Sequence, residues 1–229
     1  MYNIKNTRLS SFIILFYLSI VLCFPAKAEA IKVFFAGDLF SYKDLVGNLQ
    51  LSEAIKRRSN GKYDCFLAQN KVQQLVHHKS IKDQDLKGLM ESDIAIFAFD
   101  GPELDSGTVV EFVSAKLLDK PSVVYRSDFR GGSGEEVSTA EQENSNKWNL
   151  MVSYYPRTEY VYFNGMIQYQ NVLKNSEDQS AININGQYVE YIAQLLITSM
   201  DRVYETPKIL TEKEQNMVNK QFQTLMNIQ

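Results

Sequence analysis

Short apolar runs alternate with longer amphipathic stretches along most of the chain. The runs DIAIFAF and PSVVYR are almost wholly apolar, as expected for parallel strands that are buried on both faces. Alternation of such strands with helical stretches indicates βαβ units and therefore a parallel sheet. The predicted strands are IKVFFAG (31–37), YDCFLA (63–68), DIAIFAF (93–99), PSVVYR (121–126) and EYVYF (159–163).

Helical spacing of apolar residues fills most of the remaining chain. These stretches and the strands predict an α/β fold, a doubly wound parallel sheet of about five strands, in a single domain over residues 31–229. A helical extension is predicted from about residue 181. The polar, glycine-rich segment 128–147 is predicted to be a long loop and is a candidate lid. The predicted helices cover 42–59, about 80–91, a stretch from 106, about 185–205 and 211–226.

The first residues have the pattern of an export signal. A basic start precedes an apolar run over Phe12–Phe24 and the small-residue sequence PAKAEA, so we expect a secretory signal peptide over residues 1–30. Cleavage after Ala28 and cleavage after Ala30 fit equally well, and an uncleaved N-terminal anchor is the alternative. The signal predicts an exported, periplasmic or secreted protein with no membrane attachment after cleavage.

Composition excludes several classes of chemistry. Loss of the signal peptide leaves Cys65 as the sole cysteine, which forbids an internal disulfide. The adjacent pair His77 and His78 lacks metal-ligand spacing, and there is no Walker A or dinucleotide motif, so we predict neither a metal nor a cofactor. A net charge of −3 argues against nucleic acid polymers as partners, because phosphate binding needs a basic surface.

Ligands of open α/β sheets bind beyond the carboxyl ends of the strands. Polar or glycine-rich residues follow the first three predicted strands, in AGDLF, AQN and DGPELDSG. Gly37 and Gln69 belong to the first two of these segments and are candidate substrate-binding residues. The third segment leads into a helix that carries candidate carboxylates.

Two acids, Glu111 and Asp85, lie in predicted helices whose other residues have the apolar pattern of buried helices. Glu111 lies too far inside its helix for a capping role, and it is either a solvated surface acid or a site acid. Asp85 falls between Ile81 and Leu89 on an apolar stripe, where an unpaired carboxylate is costly, unless it lies at the helix edge. Asp105 is a good helix N-cap and is also placed to bind a ligand hydroxyl. Paired carboxylates at a ligand crevice suit glycosyl transfer.

The segments VFFAGDLF, DQDLKGLMESDIAIFAFDG, DSGTVVEFVSAK and WNLM together resemble the nucleoside 2-deoxyribosyltransferase family over about residues 31–151. The resemblance implies a flavodoxin-like sheet and transfer of 2-deoxyribose between nucleobases. A deoxynucleoside and a nucleobase are the implied partners, and a homo-oligomer with shared active sites is the implied assembly.

The resemblance also implies a role for each acid. Glu111 matches the nucleophile that forms a covalent ester with the sugar, and we expect the helix N-terminus to help keep it ionised. Asp85 matches an aspartate that handles the proton of the base, and Asp105 matches one that binds sugar hydroxyls. Asn149 matches an asparagine that a neighbouring subunit donates, with Met151 nearby.

Three departures from the family pattern qualify these expectations. Phe34 stands where some members have a tyrosine that steadies the nucleophile, and Asp38 replaces a residue that is often small or proline. The chain also continues well past Asn149, so a role for a chain-terminal carboxylate is doubtful.

A hydrolase on the same scaffold and a non-catalytic nucleoside-binding protein are the competing functions. Because Asp38 would repel a phosphate, and no Arg or Lys follows it before Lys43, nucleosides are favoured over nucleotides.

Overall fold

The computed structural model describes residues 29–71, 77–128 and 148–228. The predicted signal peptide, apart from its last two residues, and nearly all of the candidate lid lie outside these ranges. The described residues contain one five-stranded parallel sheet with the strand order β2-β1-β3-β4-β5, which is the flavodoxin-like order. The predicted fold class is confirmed. The strands are β1 (Ile31–Ala36), β2 (Tyr63–Leu67), β3 (Ile94–Ala98), β4 (Ser122–Arg126) and β5 (Thr158–Tyr162).

The helices connect and cover these strands. Short 3₁₀ helices over Ala68–Asn70 and Leu150–Val152 follow β2 and precede β5. The α-helices of the described residues are α1 (Tyr42–Arg58), α2 (His78–Glu91), α3 (Ser106–Leu117), α4 (Gly165–Asn175), α5 (Ala181–Tyr204) and α6 (Glu212–Leu225).

The alternation of side chains along β1 shows how the two faces of the sheet are covered. Val33 and Phe35 belong to the hydrophobic cluster that includes residues of α1 and α5. Phe34 and Ala36 point to the opposite face, into a second cluster with residues of α2, α3 and α6. The sheet is therefore buried on both faces, which explains why its strands are apolar throughout.

Helix α4 was not predicted from the hydrophobic pattern. None of its residues is buried, and Met166, Ile167 and Tyr169 remain exposed, so burial in the core does not define this helix. Its start instead depends on Asn164, whose side chain accepts hydrogen bonds from the backbone N–H groups of Met166 and Ile167. Within the described ranges, no helix combines the length and apolarity needed to span a bilayer.

Candidate active site

A cavity of about 290 Å³ opens at the carboxyl ends of β1 and β2, beneath α2 and α3. This is the edge of a doubly wound sheet at which ligands bind, beside the β1–β3 pair where the strand order reverses. Five of the predicted site residues line this cavity together: Gly37, Gln69, Asp85, Asp105 and Glu111.

Glu111 lies in the second turn of α3 and is half-buried. No residue in the described part of the chain donates a hydrogen bond to its carboxyl group. Burial, and then the nearby Asp85 and Asp105 carboxylates, raise the pKa of Glu111 to about 8. In the free protein, burial and like charges therefore oppose the ionisation of Glu111 that the helix N-terminus is expected to favour.

Asp85 extends from α2 into the same cavity. Its Oδ1 atom is buried and has no hydrogen-bond partner among the residues that the structure describes. Burial raises the pKa of Asp85 to about 6. A buried carboxylate oxygen without a partner is costly in a folded protein and is typical of sites that bind or transform a ligand.

Asp105 caps the helix that carries Glu111. Its Oδ2 atom accepts hydrogen bonds from the backbone N–H of Thr108 at 2.7 Å and from the Thr108 hydroxyl at 2.9 Å. Gly107 follows closely, and a Cβ at this position would lie 3.0 Å from the same oxygen. Both hydrogen bonds use Oδ2, so Oδ1 is left for a ligand, and the capping role and a binding role are compatible.

A small amide network closes the cavity on the side of β2. The Asn48 side chain donates to the backbone carbonyl of Asp38 at 2.9 Å and to Oε1 of Gln69 at 3.2 Å, and Gln69 donates to the carbonyl of Leu45 at 2.7 Å. The network joins α1, the loop after β1 and the 3₁₀ helix after β2. Sequence reasoning missed Asn48, because one amide in an amphipathic helix looks like any solvated polar residue.

Two residues of β1 and its end shape the cavity floor. A Cβ on Gly37 would lie 2.9 Å from the Cβ of Ala98, so glycine lets the ends of β1 and β3 approach each other. Phe34 is buried and stacks on Phe66 with ring centroids 5.6 Å apart. Because Phe34 has no hydroxyl, it cannot donate a hydrogen bond to Glu111.

Asn149 and Met151 do not line this cavity. Asn149 caps the 3₁₀ helix before β5 by accepting from the backbone N–H of Met151 at 3.0 Å, and 76% of Met151 is exposed. Trp148, by contrast, packs on this chain, edge-to-face on Phe99 and stacked on Tyr160. The segment is therefore docked through its tryptophan, while its next residues face outward.

The cavity is acidic. Burial and the neighbouring Asp105, Asp44 and Asp100 raise the pKa of the Asp38 carboxyl, which lies in the chain between the lining residues Gly37 and Leu39. None of the described residues that line the cavity is Lys, Arg or His. Within the described ranges, no group of three or more His, Cys, Asp and Glu side chains is arranged to hold a metal ion. The arrangement suits a neutral ligand rich in hydrogen-bond donors, and two carboxyls with different pKa values suit nucleophilic attack and proton transfer.

Solved structures provide distant comparisons. A conserved protein from Enterococcus faecalis V583 is 20% identical, with a TM-score of 0.45 over 76% of this chain and 99% of that chain. A 2-deoxyribosyltransferase from Bacillus psychrosaccharolyticus is 19% identical, with a TM-score of 0.39 over 53% and 79%. One from Leishmania mexicana is 14% identical, with a TM-score of 0.41 over 70% and 98%. At these values the likenesses carry no argument about activity.

A comparison with curated proteins finds no similar sequence. A comparison with protein families matches most of the chain. The family model described as nucleoside 2-deoxyribosyltransferase matches residues 33–227, from β1 through the end of α6. The chain therefore belongs to the nucleoside 2-deoxyribosyltransferase family.

Proposed function

We propose that this protein transfers 2-deoxyribose between nucleobases through a covalent ester on Glu111. The observation that carries the proposal is the meeting of Glu111, Asp85 and Asp105 in one cavity, with no hydrogen bond to the Glu111 carboxyl from the described residues. A carboxylate that is free of structural partners can react with a sugar, and a second carboxyl beside it can manage a proton. Family membership supports this reaction.

The reaction requires Glu111 to be ionised and Asp85 to be protonated. The Glu111 carboxylate attacks C1′ of the sugar while the bond from C1′ to the base nitrogen breaks. The departing base keeps the bonding electrons and takes the proton of Asp85. An acceptor base then attacks C1′ of the ester, returns its proton to Asp85 and releases Glu111 as a carboxylate, so protons and electrons balance over one cycle.

Substrate binding should favour this protonation state. Sugar hydroxyl groups that donate hydrogen bonds to Glu111 or Asp105 stabilise the ionised form of these carboxyls. The base nitrogen instead faces Asp85, whose proton it needs. Desolvation raises the pKa of Glu111 in the free protein, and donors from the substrate offset that effect in the complex.

The acidity of the cavity supports nucleosides rather than nucleotides as substrates. Asp38 lies near Asp105, Asp44 and Asp100, in the chain between the lining residues Gly37 and Leu39, and the described lining residues include no cation. A 5′-phosphate would meet like charge without a compensating Lys or Arg. The protein should therefore have a higher kcat/KM for deoxynucleosides than for their 5′-monophosphates. Asp38→Asn should reduce this ratio of kcat/KM values.

Shared active sites are the second part of the proposal. Met151 and Leu150 are exposed beside Asn149, and large apolar residues of this kind suit the core of an interface between subunits. In a closed homo-oligomer, Asn149 of one subunit would complete the sugar site of the next. Mixing the inactive variants Glu111→Ala and Asn149→Ala should restore part of the activity. A monomer in light scattering, with no recovery on mixing, would contradict shared sites.

Export is the third part. The basic start, the apolar run and the small residues that follow support removal of a signal peptide before the protein acts in the periplasm or outside the cell. Mass spectrometry of the protein from its native host should find a mature chain that begins at Glu29 or at Ile31. An intact N-terminus held in the membrane fraction would favour the anchor instead.

Product analysis tests the proposed activity. The purified protein is incubated with a deoxynucleoside, with and without a second nucleobase, and the products are separated by chromatography. A new deoxynucleoside that forms only with the second base supports transfer. Free deoxyribose in both reactions indicates a hydrolase, and an unchanged substrate that nevertheless binds indicates a nucleoside-binding protein.

A further inference from the structure

Helix α2, which carries Asp85, has weak helix-forming signals of its own. Its N-cap residue His77 makes no capping hydrogen bond through its side chain, and its first turn contains no acidic residue. Lys79 lies in that first turn, where the helix dipole disfavours a cation. The start of α2 therefore lacks a side-chain cap, and its local support comes from the ion pairs that Lys79 and Lys82 make with Asp83.

A glycine in the last turns of α2 weakens the helix further. Glycine in a helix interior, here Gly88, is destabilising relative to alanine. It is required here because a Cβ would lie 2.6–2.9 Å from atoms of the Phe66 ring. The position of Asp85 must therefore depend on contacts that α2 makes with other elements.

The C-terminal end of α6 supplies such contacts. Asn227 adopts a left-handed conformation with φ of 52°, and the backbone N–H of Ile228 donates back to the carbonyl of Gln223 at 3.0 Å. This turn ends the helix and leaves the carbonyl groups of the next residues free to accept from a neighbour.

Two lysines of α2 donate to those carbonyl groups. Lys82 Nζ donates to the carbonyl of Met226 at 2.6 Å, and Lys79 Nζ donates to the carbonyl of Asn227 at 2.7 Å. Cations at a helix C-terminus interact favourably with its dipole. The charges that weaken the start of α2 thus stabilise its contact with α6.

Apolar packing and a second anchor hold α6 itself. Phe222 is 6% exposed and shares the hydrophobic cluster of Leu86 and Leu89 in α2. At the other end of α6, the Gln215 side chain donates to the carbonyl of Leu118, just after α3, at 3.2 Å. Helix α6 therefore connects the helix that carries Glu111 with the helix that carries Asp85.

We propose that α6 is a brace that holds Asp85 in the cavity opposite Glu111, with Lys79, Lys82 and Phe222 as positioning residues. The catalytic consequence of the brace rests on the function proposed above. The structural consequence does not, because the brace fixes α2 whether or not a sugar is transferred. A role is thereby assigned to the C-terminal helix, for which the hydrophobic pattern suggests none.

Hydrogen–deuterium exchange of the full-length protein tests the structural part. In the double variant Lys79→Met and Lys82→Met, amides of α2 should exchange at least about tenfold faster, while the central strands stay unchanged. Lys87→Met is the matched control, since Lys87 is an exposed lysine of the same helix and makes no hydrogen bond or ion pair with the described residues of α6. Exchange in α2 that is equal in the double variant, the control and the wild type would overturn the brace.

Kinetics and an activity-free titration test the positioning of Asp85. In the double variant kcat should fall about tenfold or more, because misplacement by about 1 Å can cost about 10²-fold. The double substitution to arginine should restore most of the loss. Titration of Glu111 by NMR should show a lower pKa in the methionine variant, as Asp85 moves away. Unchanged kcat and Glu111 pKa would contradict the positioning role even if α2 exchanges faster.

The Phe222 side chain provides an independent variant. Phe222→Leu should preserve the exchange pattern of α2, and Phe222→Ala should loosen α2 and lower the Glu111 pKa in the same direction as the lysine variant. A wild-type protein without glycosyl transfer that shows these exchange and titration changes would refute the proposed function and leave the brace standing. If the wild type transfers the sugar but the lysine and Phe222 variants show the same exchange and Glu111 titration as the wild type, the brace is refuted and the proposed function is not.

Discussion

Buried charges occur at both ends of the sheet, and the two sets differ in how they are paired. At the amino end, Asp119 is 8% exposed and both of its carboxylate oxygens have partners. Oδ1 lies 2.9 Å from the Arg157 guanidinium, and Oδ2 accepts from the backbone N–H groups of Ile209 and Leu210. Although burial opposes ionisation, these bonds hold the pKa of Asp119 below its ordinary value.

At the carboxyl end, none of the described residues donates a hydrogen bond to the Glu111 carboxyl, and Oδ1 of Asp85 has no partner among them. Burial raises the pKa of Glu111 to about 8 and that of Asp85 to about 6. The contrast separates two uses of a buried carboxylate. A buried carboxylate whose oxygens accept hydrogen bonds, such as Asp119, stabilises the fold. A carboxylate that is buried without hydrogen-bond partners destabilises the free protein and is typical of a site where a ligand provides the missing hydrogen bonds.

Substitution of the nucleophile should have the largest effect on activity. Glu111→Gln should lower kcat by at least ~10⁴-fold, because the amide keeps the shape but cannot form the ester. The fold, by circular dichroism, should remain intact. Glu91→Gln, an exposed acid at the end of α2, is the control and should keep wild-type rates. Substantial turnover by Glu111→Gln would exclude covalent catalysis at this residue.

Loss of the proton-handling acid should be the next largest effect. Asp85→Asn should lower kcat by about 10²–10⁴-fold, the usual range for general acid–base catalysis. In the wild type, kcat/KM should decline below about pH 6, where both acids are protonated, and above about pH 8, where both are ionised. The variant should lose one of these limbs, and the Glu111 pKa should fall because a like charge has gone. An unchanged pH profile would remove Asp85 from the reaction.

Substitution of Asp119, the buried acid whose carboxylate oxygens both have partners, should affect stability rather than activity. Asp119→Ala should reduce the free energy of unfolding by about 3–5 kcal/mol, because it leaves the buried Arg157 without its partner. Activity measured well below the unfolding temperature should stay within about tenfold of wild type, since Asp119 is remote from the cavity. Asp64→Ala is the matched control, because the Lys56–Asp64 pair is largely exposed and should contribute less than about 1 kcal/mol. A stable but inactive Asp119→Ala would break the contrast.

The smallest effect concerns the pH dependence of stability. Because the folded-state pKa of Glu111 is raised, its contribution is complete below its ordinary pKa of 4.5 and is lost as the pH rises through about 8. The melting temperature of Glu111→Gln should therefore rise relative to that of the wild type between pH 5 and pH 9. The contribution of Asp119, whose pKa is lowered, is instead lost towards acid pH. A difference in melting temperature between Glu111→Gln and the wild type that stays constant with pH would contradict the raised pKa of Glu111.

Local patterns predicted the elements of the sheet well. Each strand is a nearly continuous apolar run, and burial on both faces produces that pattern without knowledge of the neighbours. Strand order came from the family resemblance, because no local pattern carries it. Helix α4 escaped prediction, since it is held by the Asn164 cap and has no buried residue.

The site could be predicted in part for the same reason. Glu111 and Asp85 stand out as acids in helices that face the core, which is a local signal. Asn48 does not, because its role depends on hydrogen bonds to two loops that only the fold brings together. The raised pKa of Glu111 could not be predicted from the sequence, because burial, its largest cause, and the approach of Asp85 and Asp105 both depend on the fold.

The central claim is that Glu111 carries the sugar during turnover, and mass spectrometry tests it most directly. The protein is incubated with a deoxynucleoside without an acceptor base, quenched in acid and digested. The peptide that contains Glu111 should gain the mass of one deoxyribosyl group, in wild type and not in Glu111→Gln, and an added base should discharge it. Base exchange at normal rates with no such peptide, or with the sugar on another residue, would contradict the account.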